Sequence, residues 1–286
     1  ESTSIHWHGI LLPFEMDGVP GISFDGIPAH STFTYKFKLI QSGTYWYHSH
    51  SGFQEQTGML GAIVIEPKGR ERHPIDEDHV IVLSDWTSRN PHNLLKLLKQ
   101  RADFDNYHLP DFKKLLADIA ETDMKTAFDK RKMWNQMRMM PTDFTDLSGE
   151  NTFTYLINGK TTAANWAQIV KAGQRVKLRF INASAQTIFD VRIPGLKMTV
   201  VATDGIDVAP VAIDDFRIGV AETYDVIVTP TKDAHTIFAQ NIDRSGYVAA
   251  TLATKEGARA ATPARDKIEW ITMGDMMGAR GVDGYD

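Results

Sequence analysis

The 286-residue chain carries 31 basic and 36 acidic side chains, a formal net charge of −5, and is 42% hydrophobic and 23% charged. That composition places it among globular proteins long enough for two cores, and its acidic balance argues against a nucleic-acid role, which leaves a basic patch. No apolar run reaches the length that spans a bilayer, and the absence of cysteine excludes a disulfide scaffold, a thiolate zinc site and a cysteine nucleophile.

In chain order, residues 3–67 read as β. The stretch TSIHWHGILLP (3–13) sets two histidines one residue apart in a strand, and TYWYHSH (44–50) repeats the device. Between them, TFTYKFKL (32–39) puts Phe33, Tyr35, Phe37 and Leu39 on one face and Thr34, Lys36 and Lys38 on the other. That period of two predicts a half-buried strand. Gln41-Ser42-Gly43 reads as a turn, MLGAIVIEP closes the segment at Pro67, and KGRERHPIDEDH (68–79) reads as a linker.

HVIVLSDW (79–86) is a further strand, after which the pattern turns helical from Pro91 to about Pro141, through NLLKLLKQ, DFKKLLADIA and TAFDKRKMWNQMRMM. Strands return after Ser148-Gly149: TFTYLINGK with an Asn-Gly turn, QRVKLRFINAS, TIFDVRI, LKMTVVAT, ETYDVIVTP and HTIFAQ. Many short strands at regular spacing predict β-sandwiches. The expected organisation is an all-β chain of two sandwich domains, 1–70 and 71–255, with a helical insertion at about 91–148 in the second and an Ala-, Gly- and Met-rich linker or tail at 256–286.

Side chains two apart on a strand point the same way. His6 and His8 therefore project together with Trp7 opposite, and His48 and His50 do the same around Ser49. Placed side by side, the two strands would gather four imidazoles, a donor set that suits copper, zinc, iron or nickel and leans to copper when no thiolate or carboxylate joins it. Gly9 and Gly52, after each pair, would let other atoms approach closely. One His-x-His is a weak signal, but two pairs use four of the ten histidines. His30, His73, His79, His92, His108 and His235 are scattered over loops and strand ends and read as structural.

SIHWHGILLPFEMDGVPG, QSGTYWYHSHSGFQEQTGMLG, VLSDWT, YLINGKTTAANW, KLRFINAS, FDVRIPGLKMTVVATDG and ETYDVIV together carry a resemblance over nearly the whole chain. The chain resembles the multicopper oxidases, the laccase-like enzymes, and among them the bacterial copper-resistance protein A type. That resemblance implies two Greek-key cupredoxin domains. It implies that His6 ligates a type-2 copper and that His8, His48 and His50 ligate a type-3 pair, half of a trinuclear cluster. It also implies that Asp17 is an acid beside the cluster that helps deliver protons, although spacing alone reads Asp17 as a turn residue before Gly18. The implied reaction takes single electrons from a reducing substrate, cuprous ion or phenols, and reduces dioxygen to water in the periplasm.

The family pattern is incomplete here. There is no cysteine, hence no blue-copper site in this chain, and His235 is the last histidine. The expectation is a fragment that lacks the third cupredoxin domain, carries no export signal and is inactive as an oxidase by itself. The alternatives are a copper-binding or buffering protein without turnover, or a relative that keeps the fold without its coppers, which the four retained histidines disfavour. Met133, Met137 and Met140 at helical spacing, with Met139 beside them, read first as an apolar stripe. Met273, Met276 and Met277 in the tail read evenly as spacer or as a thioether site for cuprous ion.

Overall fold

A computed structural model describes residues 1–100, 111–137, 149 and 152–268. The first sheet is built from β1 (His6–His8), β2 (Gly43–His48) and β3 (Leu60–Ile65) in the order β1-β2-β3, all antiparallel. β1 and β2 are in register so that His6 lies opposite His48, Trp7 opposite Tyr47 and His8 opposite Trp46. His6, His8 and His48 therefore share one face, as the strand period requires, and His50 follows just beyond the end of β2. On the other face Trp7 packs edge-on against Tyr35 and Phe37.

The rest of the chain forms a two-sheet sandwich. Its strands are β4 (Glu77–Trp86), β5 (Thr154–Ile157), β6 (Ala167–Ile169), β7 (Val176–Asn182), β8 (Phe189–Arg192), β9 (Met198–Thr203), β10 (Ile206–Ile213), β11 (Asp215–Ile218), β12 (Thr223–Val228), β13 (Ala234–Asn241) and β14 (Tyr247–Ala253). One sheet runs β10-β9-β12-β7-β4-β5 and the other β11-β8-β13-β14-β6. Between β4 and β5 lie α1 (Pro91–Gln100), α2 (Phe112–Glu121) and α3 (Met124–Met137), within the predicted helical stretch. Asp111 caps α2 by accepting from the Lys114 amide at 2.8 Å. The Asn-Gly turn after β5 has φ of 48° at Asn158 and 72° at Gly159, the left-handed pair that a two-residue hairpin needs.

β7 shows why the two parts pack together. All seven of its residues are buried. Val176, Leu178 and Phe180 enter the sandwich core, whereas Ile181 joins Trp46 of β2 in a second apolar cluster. A strand covered on both faces cannot alternate apolar with exposed polar residues, so its polar members must find partners inside. Arg179 does so. It makes two bonds to Asp78, at 2.7 and 2.6 Å, and reaches Thr44 of β2 at 2.8 Å and Asp225 of β12 at 2.9 Å.

The strands depart from the sequence reading in three places. TFTYKFKL is not a strand: residues 32–39 pair with no ladder among the described residues, and Leu39 is 48% exposed. Alternation there reports half-buried Phe33, Tyr35 and Phe37 on an aromatic cluster, not backbone pairing. Second, β6, β10, β11 and β14 were not anticipated. β10 contains Pro210 and lies at a sheet edge, where a missing amide costs no ladder bond. Third, β4 begins at Glu77, inside the stretch read as a linker.

Candidate metal centre

Three structural devices converge on the histidine face. Strand pairing sets His6 against His48. The turn Phe14–Met16 and the glycine after Asp17 bring that residue back onto β1: Gly18 has φ of +82°, and a Cβ there would lie 1.8 Å from the Ile5 carbonyl oxygen. Only glycine lets the loop run this close. Third, Trp46 stacks on His48 at 4.3 Å and on His8 at 5.0 Å between ring centres, forming an aromatic floor only 2% exposed.

The ring nitrogens follow. His6 Nδ1 donates to the Asp17 backbone carbonyl at 2.7 Å, with the Asp17 carboxylate 3.4 Å away, which leaves Nε2 as the free donor atom. His48 Nδ1 lies 3.2 Å from the Glu55 carboxylate and 3.3 Å from the Ser49 carbonyl, while its Nε2 lies 3.4 Å from His8 Nδ1. One nitrogen from each of His6, His8 and His48 falls within 4.8 Å of the others. His50 sits beyond the end of β2, its ring centre 4.9 Å from His48 and 5.0 Å from His6.

Burial lowers His8 to about 4, helped by the neighbouring His6 and His48 imidazoles, and burial with His48 and His6 lowers His50 as well. Both rings thus stay neutral near pH 7 with a lone pair available, the form in which imidazole binds metal. The expected gathering of His6, His8, His48 and His50 is what the structure shows, and Asp17 lies beside His6. Gly9 behaves as expected, since a Cβ there would come within 3.0 Å of Tyr45. Gly52 does not: nothing lies within 4 Å, and its φ of +57° is the reason for glycine. Trp46 and Glu55 carried no sequence signal beyond a strand alternation and a polar loop.

Of the remaining histidines, His79 pairs with Glu77 at 2.9 Å, His92 packs edge-on against Phe53, and His235 is buried in β13. Met133 is half-buried on α3. Met139, Met140, Met273, Met276 and Met277, the side chain of Met137, and His108 lie outside the described residues.

Two multicopper oxidase family models match the chain, one over residues 1–70 and the other over residues 77–257. The chain belongs to the multicopper oxidase family. It is 54% identical over 284 residues to copper resistance protein A of Escherichia coli and 51% identical over 282 residues to that of Pseudomonas syringae pv. tomato. Each match covers 99% of this chain, but 47% and 46% of those relatives. Multicopper oxidase MmcO of Mycobacterium tuberculosis is 31% identical, over 94% of this chain and 50% of its own. The chain therefore spans about half the length of the curated relatives it matches.

Among solved structures, Fet3p, described as a multicopper oxidase that functions in iron import, superposes with a TM-score of 0.67 at 23% identity, covering 95% of this chain and 45% of its own. The laccase from Botrytis aclada does so with a TM-score of 0.66 at 24% identity, covering 94% and 46%. These likenesses confirm the cupredoxin fold. No described helix is long and apolar enough to cross a membrane. Copper is the metal of this family, and the donor chemistry fits it: the histidine cluster offers imidazole nitrogens and no thiolate.

Proposed function

We propose that this chain is the two-domain part, 1–70 and 71–255, of a periplasmic copper-resistance multicopper oxidase and supplies half of its trinuclear copper site. The observation that carries the reading is the convergence of the His6, His8 and His48 imidazoles at the His6–His48 pairing, with the His50 ring beside them, in a chain about half identical to copper resistance protein A. His6 would serve the type-2 copper, and His8, His48 and His50 the type-3 pair. The complete protein would couple one-electron oxidation of cuprous ion or phenols to reduction of dioxygen to water, with a third cupredoxin domain as partner. Residues 256–286 would serve as the linker, and Met273, Met276 and Met277 as thioether donors for cuprous ion.

The residues divide the work. Copper, when bound, supplies the one-electron steps. The Asp17 carbonyl holds His6 Nδ1 at 2.7 Å and so turns Nε2 towards the cluster. Burial keeps His8 unprotonated. The Asp17 carboxylate is 38% exposed and 3.4 Å from His6, and so lies between solvent and the site, where it would help deliver protons. Trp46 covers the floor against water.

One fact favours a second reading, copper binding or buffering without turnover: the chain holds no cysteine and so no blue-copper site of its own. The two are separated by whether the parent reading frame runs on into a cysteine-containing third domain, and the half-site assignment is tested by loading the chain with copper and supplying a reductant. Copper uptake through the four histidines without oxygen consumption is expected of this chain alone. Turnover of oxygen by this chain alone, or copper uptake that persists without the four histidines, would contradict the half-site assignment.

A further inference from the structure

The loop after His50 places a carboxylate on a ligand nitrogen that the mechanism above does not use. Glu55 Oε2 lies 3.2 Å from His48 Nδ1, with the His48 side chain 7% and the Glu55 side chain 27% exposed. The contact is held from both flanks. Gln54 accepts from the hydroxyls of Thr3 at 2.7 Å and Ser49 at 2.8 Å and donates to the Ser2 carbonyl at 2.9 Å. Gln56, itself buried, donates to the Asp85 carbonyl at 3.0 Å. The Asp85 carboxylate is fixed in turn by the amides of Ala185 and Thr187 and by the Thr187 hydroxyl. With its neighbours tied to the segment before β1 on one side and to β4 on the other, Glu55 is held beside His48. The loop also closes on itself through Gly58 N to the Glu55 carbonyl at 2.9 Å.

We propose that Glu55 is a positioning residue for copper: its carboxylate accepts the His48 Nδ1–H, which fixes one tautomer and aims Nε2 at the space shared with His8 Nδ1. Carboxylate–histidine pairs of this kind orient a metal ligand and raise its basicity. In this structure the hydrogen bond of His48 Nδ1 goes to the Ser49 carbonyl at 3.3 Å, a neutral acceptor, with the Glu55 oxygen 3.2 Å away as an ion-pair neighbour that competes for the same proton. A charged one makes a bond roughly twice as strong. Glu55 and Asp17 thus serve different rings, His48 and His6. The inference rests on the copper-site reading above.

The test compares Glu55→Ala and Glu55→Gln with the parent chain by two readouts. In metal-free protein, nitrogen NMR of labelled histidine reports the His48 tautomer, its signals assigned by their loss in His48→Gln. In parallel, Cu(II) affinity is measured by competition with a chelator. The parent chain is expected to show a single Nδ1–H tautomer, and Glu55→Gln, whose amide oxygen still accepts but carries no charge, to keep that tautomer with an affinity between those of the parent and Glu55→Ala. Glu55→Ala is expected to lose the single tautomer and to bind Cu(II) about 10–100-fold more weakly, the usual effect of removing such a partner. A Glu55→Ala chain that keeps either the tautomer or the affinity overturns the proposal. So does a Glu55→Gln chain that behaves like Glu55→Ala. If the parent chain takes up no copper, the functional reading fails, while the metal-free tautomer still decides whether Glu55 orients His48.

Discussion

At the scale of single residues, the site depends on proton bookkeeping at a few nitrogens. His8 has a folded-state value of about 4 against 6.5 for a free histidine, chiefly because it is buried and secondly because His6 and His48 crowd it. Between those two values the unfolded chain binds the extra proton, so stability contributed here is present above about pH 6.5 and is lost as pH falls towards about 4. Thermal unfolding of metal-free protein near neutral pH and at about pH 4.5 measures this. His8→Gln is expected to show a smaller drop in midpoint than the parent, and equal drops would contradict it. Gly18 carries a different constraint. With φ of +82° and the Ile5 carbonyl 1.8 Å from the position of a Cβ, Gly18→Ala should destabilise by more than the ~1–3 kcal/mol of a left-handed alanine and should weaken copper binding by moving Asp17 off His6. Gly21→Ala, with φ of +75° and open space, isolates the conformational part. Equal losses in the two variants, read by urea unfolding, would remove the steric argument. The histidines were legible in the sequence because strand period and motif both point at them, and Asp17 only through the family resemblance, since spacing alone reads it as a turn residue. Glu55 was not, since a carboxylate in a polar loop has no pattern that distinguishes it.

At the scale of elements, β7 is the member on which the packing turns. It is buried on both faces, and its Arg179 ties β2, β4 and β12 together through Thr44, Asp78 and Asp225. The Arg179 and Asp225 side chains are 6% and 5% exposed, so removing one partner strands a charge in the interior. Arg179→Ala is therefore expected to cost about 3–5 kcal/mol, measured as the shift in urea midpoint at constant slope. A change under about 1 kcal/mol, the size of a surface ion pair, would show that the network is solvated. Strand pattern alone made β7 and β12 readable, because each is a short β-branched and aromatic run bounded by turn residues. It misjudged TFTYKFKL, whose alternation is genuine but whose backbone finds no ladder among the described residues. It also passed over β10 and β14: one is interrupted by Pro210, and the other, YVAATLA, is rich in small residues with weak strand preference.

At the scale of the molecule, a three-stranded sheet lies against a complete sandwich, and the histidine face sits on the smaller part. The Trp46 and Ile181 cluster and the Arg179 network join the two, so the geometry of the site depends on both. The fold class was readable from the spacing of the strands and the family from the motifs, while the approach of β2 to β7 was not, because it rests on contacts 135 residues apart. The central claim is that His6, His8, His48 and His50 form one copper-binding surface. Its most direct test is Cu(II) titration of the chain followed by electron paramagnetic resonance, with His6→Ala/His48→Ala as the comparison. The account predicts a nitrogen-ligated copper signal in the parent chain that the double variant loses while keeping its thermal transition. An unchanged signal in a folded double variant would contradict it.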